Sequence, residues 1–209
     1  MVQALPQTMS FEAFLDWYPE KGKRYELRDG FAVEMPPPTG PHEILSSFLM
    51  VELTLEIRRQ QLNCFIPKTC IVKPNRAGTG YSPDIVVLNT SALVEEPRWQ
   101  KASTVQQGKS VALAIEVVST NWRDDYLLKL GDYEEMQIPE YWIADYRALG
   151  ARRYTGKPKQ PTLTVCTLVD GEYVLQAFRA GERIESRLFP ALQLTVEALF
   201  QAARSPDRT

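Results

Sequence analysis

The sequence predicts an α/β protein in which helices flank a mixed central sheet, with additional antiparallel strands toward the N- and C-terminal regions. Apolar residues recur at helical spacing over 42–62, which predicts a long amphipathic helix. Two almost wholly apolar runs, 84–88 and 111–119, are typical of buried strands. Segments 163–168 and 173–178 read as strands around a turn, which predicts a hairpin.

The N-terminal part predicts a short helix followed by a hairpin. Ser10 precedes the apolar positions of 11–17 and can cap a helix there, because its hydroxyl accepts a backbone N–H. Asp29-Gly30 lies between two short strand-like runs and predicts a hairpin over 24–35. The three prolines at 36–38 then keep the chain extended up to the long helix.

The rest of the chain alternates between strands and helices. A polar, irregular stretch is expected over 89–110, and the run 111–119 is expected to be the central strand. Thr195 can cap a terminal helix over 195–203. The other expected elements are strands at 64–73, 141–146 and 151–154 and a helix over 122–136.

We expect one domain over residues 1–209, with a core of about 40–146 and accessory strands at 24–35 and 150–189. The 209 residues are enough for one large domain, and a hydrophobic content of 44% is enough for a substantial core. The three cysteines, Cys64, Cys70 and Cys166, form no CxxC motif and are expected to be reduced.

Composition argues against a secreted or membrane protein. Residues 1–10 lack the basic start and long apolar stretch of a signal peptide, and no run of 18 apolar residues occurs. We therefore expect a cytoplasmic protein without a membrane partner. The net charge of −2 is not the overall signature of a nucleic-acid-binding protein, although a metal and a local basic groove could offset it.

The most informative residue is Glu116, an acid within an otherwise apolar strand. A buried carboxylate is costly unless a cation or several donors meet it, so its presence indicates a site. Asp84 stands at the start of another apolar strand, after Pro83. Two carboxylates and the neighbouring Val117 carbonyl are oxygen ligands of the kind that Mg²⁺ binds together with water and phosphate oxygens. Asp84, Glu116 and Val117 are therefore candidate metal ligands.

Lys129 is the candidate cation for this site. It lies on the helix expected after the central strand, one turn from Asp125 and one turn from Tyr133. Because that helix returns beside the sheet, Lys129 can point to the strand end and stabilise negative charge in a transition state. A solvated lysine paired with Asp125 is the alternative interpretation.

These motifs resemble a known family. Pro83-Asp84, Glu116-Val-Val-Ser119, Asp125-x-x-x-Lys129-x-x-x-Tyr133 and Pro139-Glu-Tyr-Trp-Ile-Ala-Asp145 occur in the order found in the putative restriction endonuclease domain formerly called DUF820, a member of the PD-(D/E)XK nuclease superfamily. The stretch 25–42 is also similar to it. The resemblance covers about residues 10–195.

The resemblance implies a restriction-endonuclease-like core with Asp84 and Glu116 as metal ligands. The superfamily lysine usually follows the second acid by two residues, where this chain has Val118. The resemblance implies that in this type of domain the lysine lies on the next helix, which matches Lys129, and a long flexible side chain can reach the same point from there. Superfamily members also often place an acid on the first core helix, which makes Glu43 a candidate ligand for a second metal.

Other polar residues give weaker signals. His42 is the only histidine and is interpreted as a surface residue at the start of the long helix, bordering the cleft at most. Basic residues that could line a phosphate groove are scattered, and ordinary solvated faces explain them equally well. They are Arg58, Arg59, Lys68, Lys73 and Arg76, with Arg152 and Arg153 as a further pair.

The function expected from these observations is a metal-dependent endonuclease that hydrolyses DNA phosphodiester bonds with Mg²⁺ or Mn²⁺. Asp84, Glu116 and Lys129 are its expected catalytic residues. A homodimer is expected because two-fold symmetry suits the cutting of both strands. Two alternatives stay open, namely a catalytically inactive nuclease-fold binding protein and a metal-dependent hydrolase of smaller phosphate substrates.

Overall fold

The central feature of the computed structural model, which describes residues 8–18 and 23–203, is a six-stranded mixed sheet. Its strand order is β10-β9-β8-β7-β5-β3, and β7 and β8 form its parallel pair. These strands are β3 (Cys64–Phe65), β5 (Ile85–Asn89), β7 (Val111–Val117), β8 (Glu140–Asp145), β9 (Thr162–Val169) and β10 (Glu172–Phe178). The predicted α/β fold with a mixed central sheet is thus confirmed.

Two small sheets lie outside the central one. β1 (Arg24–Arg28) and β2 (Phe31–Met35) form the hairpin that Asp29-Gly30 predicts, and both turn residues have positive φ. β4 (Ile71–Val72) pairs in parallel with β6 (Thr104–Val105). The expected strand structure over 64–73 is confirmed at the two ends of the segment, β3 and β4, but not between them, and these ends pair with different partners, β5 and β6.

The helices cover both faces of the sheet. Ser10 and Thr195 cap α1 and α6 as predicted, because their hydroxyls accept the N–H groups of Ala13 and Ala198. The helices are α1 (Phe11–Trp17), α2 (Gly40–Arg59), α3 (Trp99–Ala102), α4 (Leu130–Glu135), α5 (Arg152–Thr155) and α6 (Val196–Ala202), and a π-helical segment spans Asp124–Lys129. No helix in these described ranges is both long and apolar enough to cross a membrane.

The alternation of β7 divides the core into two layers. Leu113, Ile115 and Val117 face the layer that α2 and α6 cover. Ala114 and Val118 face the opposite layer, which contains Tyr133 of α4. Because side chains alternate along a strand, Glu116 also points into this second layer.

The C-terminal strands extend the central sheet and do not form a separate layer. β9 pairs with the full length of β8, from Glu140 opposite Thr167 to Asp145 opposite Thr162. The strand expected at 151–154 is wrong, because this segment forms α5. Asp145 accepts the N–H groups of Leu149 and Gly150, which turns the chain before an extended pairing can begin.

The cysteine expectation agrees with the structure. Cys64, Cys70 and Cys166 are all free thiols, and Cys70 and Cys166 are buried. Residues 1–7, which contain most of the segment judged for a signal peptide, lie outside the described ranges.

Candidate functional site

A cavity of about 330 Å³ opens at the C-terminal end of β7. The β1–β2 hairpin, the start of α2 and the π-helical segment form its walls. Its lining combines acidic and basic side chains, among them Arg28, His42, Asp84, Glu116, Asp125 and Lys129. The candidate residues Asp84, Glu116, Val117 and Lys129, which are far apart in sequence, therefore line one cavity.

Strand pairing brings Asp84 and Glu116 together. Ile85 of β5 lies opposite Ile115 of the antiparallel β7, and continuing this register by one residue places Asp84 opposite Glu116. Asp84 Oδ2 accepts the N–H of Val117 at 2.8 Å, which fixes its carboxylate at the end of β7. Both acids thus occupy the same face of two neighbouring strands.

Glu116 is held by two groups from the helix that follows β7. Its Oε1 atom lies 2.9 Å from Lys129 Nζ and accepts a hydrogen bond of 3.1 Å from the Tyr133 hydroxyl. The side chain is only 4% exposed. Burial raises the pKa of Glu116 well above its usual range, and Asp84 and Asp125 raise it further, although Lys129 opposes them.

Lys129 lies at the centre of a group of carboxylates. Its Nζ atom is 3.2 Å from Glu26 Oε1 and 3.8 Å from Asp125 Oδ1, besides its contact with Glu116. The side chain is 3% exposed. Burial by itself lowers the pKa of a lysine, but these carboxylates outweigh it and raise the pKa of Lys129. The expected position at the strand end is the one observed, and the alternative of a solvated lysine is wrong.

The path of the helix explains how Lys129 reaches the site. The expected regular helix over 122–136 contains a π-helical segment at Asp124–Lys129 before α4 begins. Such segments often occur at functional sites, where the extra residue re-aims side chains. Asp125 and Lys129 both point inward from it. Val118, at the usual lysine position of the superfamily, is 1% exposed and packs in the core.

Glu26 is a site residue that sequence reasoning missed. It is fully buried, accepts hydrogen bonds from Arg28 Nε (3.1 Å) and Nη2 (2.7 Å), and accepts the N–H of Ser82 at 3.2 Å. Burial acts to raise the pKa of Glu26, but Lys129 and Arg28 outweigh it and lower the pKa. In the sequence, Glu26 is only an acid next to Leu27 in a short strand, and this position does not identify Lys129 as its partner.

His42 lies closer to the site than expected. Its Nε2 atom is 3.3 Å from Asp84 Oδ2, and the side chain is 12% exposed. Burial lowers the pKa of His42, but Asp84 outweighs this effect and raises it, with a smaller contribution from the Val117 carbonyl. The position at the start of the helix and at the border of the cleft is confirmed. The interpretation as an exposed surface residue is wrong, because the first turn of α2 directs the ring toward Asp84.

Glu43 has a different environment from the other candidates. Its side chain is 57% exposed. Its Oε1 atom lies 4.0 Å from His42 Nδ1. It is not among the residues that line the cavity. The structure therefore does not bring Glu43 to the Asp84–Glu116 pair, and its role as a ligand stays a prediction.

The donor set fits a divalent cation. Lys129 Nζ lies within 3.8 Å of the carboxyl groups of Glu26, Glu116 and Asp125. Asp84 lines the same cavity, so carboxyl groups outnumber the two cations Lys129 and Arg28 there. Within the described residues, no hydrogen bond reaches Asp84 Oδ1 or Glu116 Oε2. These oxygens are suitable ligands for a hard cation. No group of three or more His, Cys, Asp or Glu side chains in residues 8–18 and 23–203 is arranged as a ready metal site.

Known proteins similar to this chain in sequence and in structure are both described as putative nucleases. The Uma2 family model, described as "Putative restriction endonuclease", matches residues 11–197. The crystal structure of a putative nuclease belonging to DUF820 from Anabaena variabilis ATCC 29413 superposes with a TM-score of 0.70 at 16% sequence identity. The alignment covers 94% of this chain and 99% of that chain, so the two proteins share their fold. No curated protein matches the sequence significantly.

Proposed function

The chain belongs to the putative restriction endonuclease family, and from this premise we propose that it hydrolyses phosphodiester bonds of DNA with the help of a divalent cation. The family and the nuclease-like fold support nuclease activity. The choice of Mg²⁺, with Mn²⁺ as a substitute, rests on the all-oxygen donor set. The observation that carries the proposal is the meeting of Asp84, Glu116 and Lys129 in one cavity.

In this proposal Asp84, Glu116 and the Val117 carbonyl hold the cation. A cation bound there would polarise a phosphoryl oxygen and lower the pKa of a bound water. Asp84 Oδ1 and Glu116 Oε2 would supply the side-chain ligands, because Oδ2 and Oε1 are already engaged by Val117 and by Lys129 with Tyr133. The protein thus keeps each carboxylate in place through one oxygen and leaves the other for binding.

Lys129 would act on the attacking water and on the charge that grows in the transition state. Its ammonium group lies 2.9 Å from Glu116, so it would lie close to a water or phosphoryl oxygen bound beside that carboxylate. Glu26 and Asp125 would hold the ammonium in position. His42 would orient Asp84 through the 3.3 Å contact between its Nε2 atom and Asp84 Oδ2.

Plasmid cleavage by the purified protein tests the proposal. We expect Mg²⁺-dependent nicking that Glu116→Gln and Lys129→Met each reduce by about 100-fold or more, at a temperature where circular dichroism shows both variants to be folded, since each removes an interaction of the reacting centre. Glu172→Gln, an exposed acid outside the cavity, is the control and should retain activity. Wild-type activity in Glu116→Gln, or cleavage that EDTA does not abolish, would contradict the assignment.

We also propose that Glu43 contributes to the binding of a second cation, although its side chain lies outside the cavity. The exposed carboxylate of Glu43 would turn toward a phosphate-bound cation only when substrate is present. Glu43→Gln should then raise the Mg²⁺ concentration needed for half-maximal cleavage without changing binding of DNA in EDTA. An unchanged Mg²⁺ requirement would remove Glu43 from the site.

We also propose that two copies associate through β10. This strand is at one edge of the central sheet, and Val174 and Leu175 on it are 57% and 43% exposed. An edge strand with exposed apolar side chains can pair with its symmetry mate. Light scattering of the wild type should give the mass of a dimer, and Val174→Lys should give a monomer. A monomeric wild type would refute this part of the proposal.

A further inference from the structure

We propose that the segment 146–159, called the basic segment below, binds the sugar-phosphate backbone of DNA next to the cavity. The basic segment contains five cations, Arg147, Arg152, Arg153, Lys157 and Lys159, and no acid. The whole chain, in contrast, carries a net charge of −2. Such local concentration of one charge is the footprint of a polyanion-binding surface. The inference rests on the proposed function for the choice of DNA as the polyanion.

The cations of the basic segment are available for a ligand. All five side chains are exposed. Among the described residues, none of them forms a salt bridge with a carboxylate, whereas Arg28, Arg59, Arg76 and Lys109 do. Lys159 donates a hydrogen bond to the Leu149 carbonyl, and Arg153 packs over the Tyr154 ring. Binding phosphates would therefore break no existing ion pair within the described part of the chain.

The basic segment begins at the candidate catalytic site. It follows β8, which runs parallel to β7, and Ala144 near the end of β8 lies opposite Val117. Tyr146 and Arg147 line the catalytic cavity directly. They also line a second cavity of about 480 Å³, which extends to Pro161 and Phe200. A DNA strand with its scissile phosphate in the first cavity would thus pass Arg147 toward the rest of the basic segment.

The basic segment is also held in a fixed position. Asp145 accepts the N–H groups of Leu149 at 2.8 Å and Gly150 at 2.7 Å, which sets the turn after β8. The ring of Tyr154 stacks on Tyr126 with 4.2 Å between centroids and 16° between planes. Tyr126 belongs to the π-helical segment that carries Lys129. The basic segment therefore packs directly against the π-helical segment that carries Lys129.

Binding of fluorescein-labelled duplex DNA, measured by anisotropy in EDTA, tests the proposal on the full chain. The variant Arg152→Gln/Arg153→Gln/Lys157→Gln should bind about tenfold or more weakly at about 100 mM salt. The slope of log affinity against log salt should become less negative by about 3, since each phosphate contact contributes about −0.9 to it. Circular dichroism of the variant checks that it is folded.

The matched comparison is Arg58→Gln/Lys68→Gln/Lys101→Gln, which removes three exposed cations outside the basic segment. Arg58 and Lys68 belong to the other set of basic residues identified in the sequence, and they flank β3, an edge strand three positions away from β8 in the central sheet. This variant should bind like the wild type. An equal loss in both variants, or a loss in this variant alone, would overturn the proposal.

The remaining outcomes separate the surface from the nuclease assignment. DNA binding that depends on the basic segment, without Mg²⁺-dependent cleavage by the wild type, would retain the surface and refute the nuclease. Cleavage by the wild type with unchanged binding in the Arg152/Arg153/Lys157 variant would retain the nuclease and refute the surface. No DNA binding by the wild type, or tighter binding of an RNA duplex of the same sequence, would overturn the proposed DNA surface.

Discussion

Replacing Lys129 by methionine should destabilise the folded protein strongly, because it removes the cation shared by three buried carboxylates. The distances from Nζ to Glu116, Glu26 and Asp125 are 2.9, 3.2 and 3.8 Å. At an effective dielectric constant of about 20, each such pair contributes about 4–6 kcal/mol of attraction. Desolvation of the buried charges offsets much of this sum.

The net loss expected for Lys129→Met is about 3–5 kcal/mol, the range found when one partner of a buried ion pair is removed. Urea unfolding followed by circular dichroism gives the free energy of unfolding at neutral pH, with an unchanged m-value as the sign of a common unfolding transition. Lys23→Met is the control. Its partner Glu34 is also 2.9 Å away, but both side chains are exposed, so the loss should be close to experimental error.

A double variant separates charge from packing. If the loss arises from uncompensated carboxylates, adding Glu116→Gln to Lys129→Met should restore part of the stability, with a coupling of about 1 kcal/mol or more. A Lys129→Met variant as stable as Lys23→Met would refute the reasoning. Strict additivity in the double variant would show that the lost stability comes from packing of the lysine stem.

Further predictions concern the glycines and the cysteines. Gly108→Ala should lower the free energy of unfolding by about 1–3 kcal/mol, because an added Cβ would collide with the Met136 carbonyl oxygen. Gly131→Ala is the control, because Gly131 lies within α4 and an added Cβ there meets nothing within 4 Å. This substitution should raise the free energy of unfolding by about 0.5–1 kcal/mol in the same urea assay. Equal effects of the two substitutions would contradict the packing at Gly108. In native protein, a thiol reagent such as DTNB should label Cys64 first, because burial raises the pKa of Cys70 to about 12 and Cys166 is also buried. Loss of the fast phase in Cys64→Ser would support this order, whereas fast labelling that persists in that variant would refute it.

Local patterns in the sequence were enough to predict most elements and the two acids. The caps Ser10 and Thr195 and the Asp29-Gly30 turn act over a few residues, so their consequences are visible without the fold. Glu116 was also predictable, because an acid in an apolar strand needs a partner wherever that strand lies. These features depend on short-range chemistry alone.

Tertiary structure decided which side chains meet. Glu26 reaches Lys129 only because the β1–β2 hairpin packs beside the π-helical segment, and a regular helix was the local expectation for 122–136. The turn after β8 depends on the Asp145 side chain, which accepts the N–H groups of Leu149 and Gly150. The chain then forms α5, where a strand at 151–154 was expected. The basic segment likewise gains its place beside the cavity from the parallel pairing of β7 and β8. Strand order and helix packing set these distances, because residues far apart in the chain come close only when the core they share is assembled.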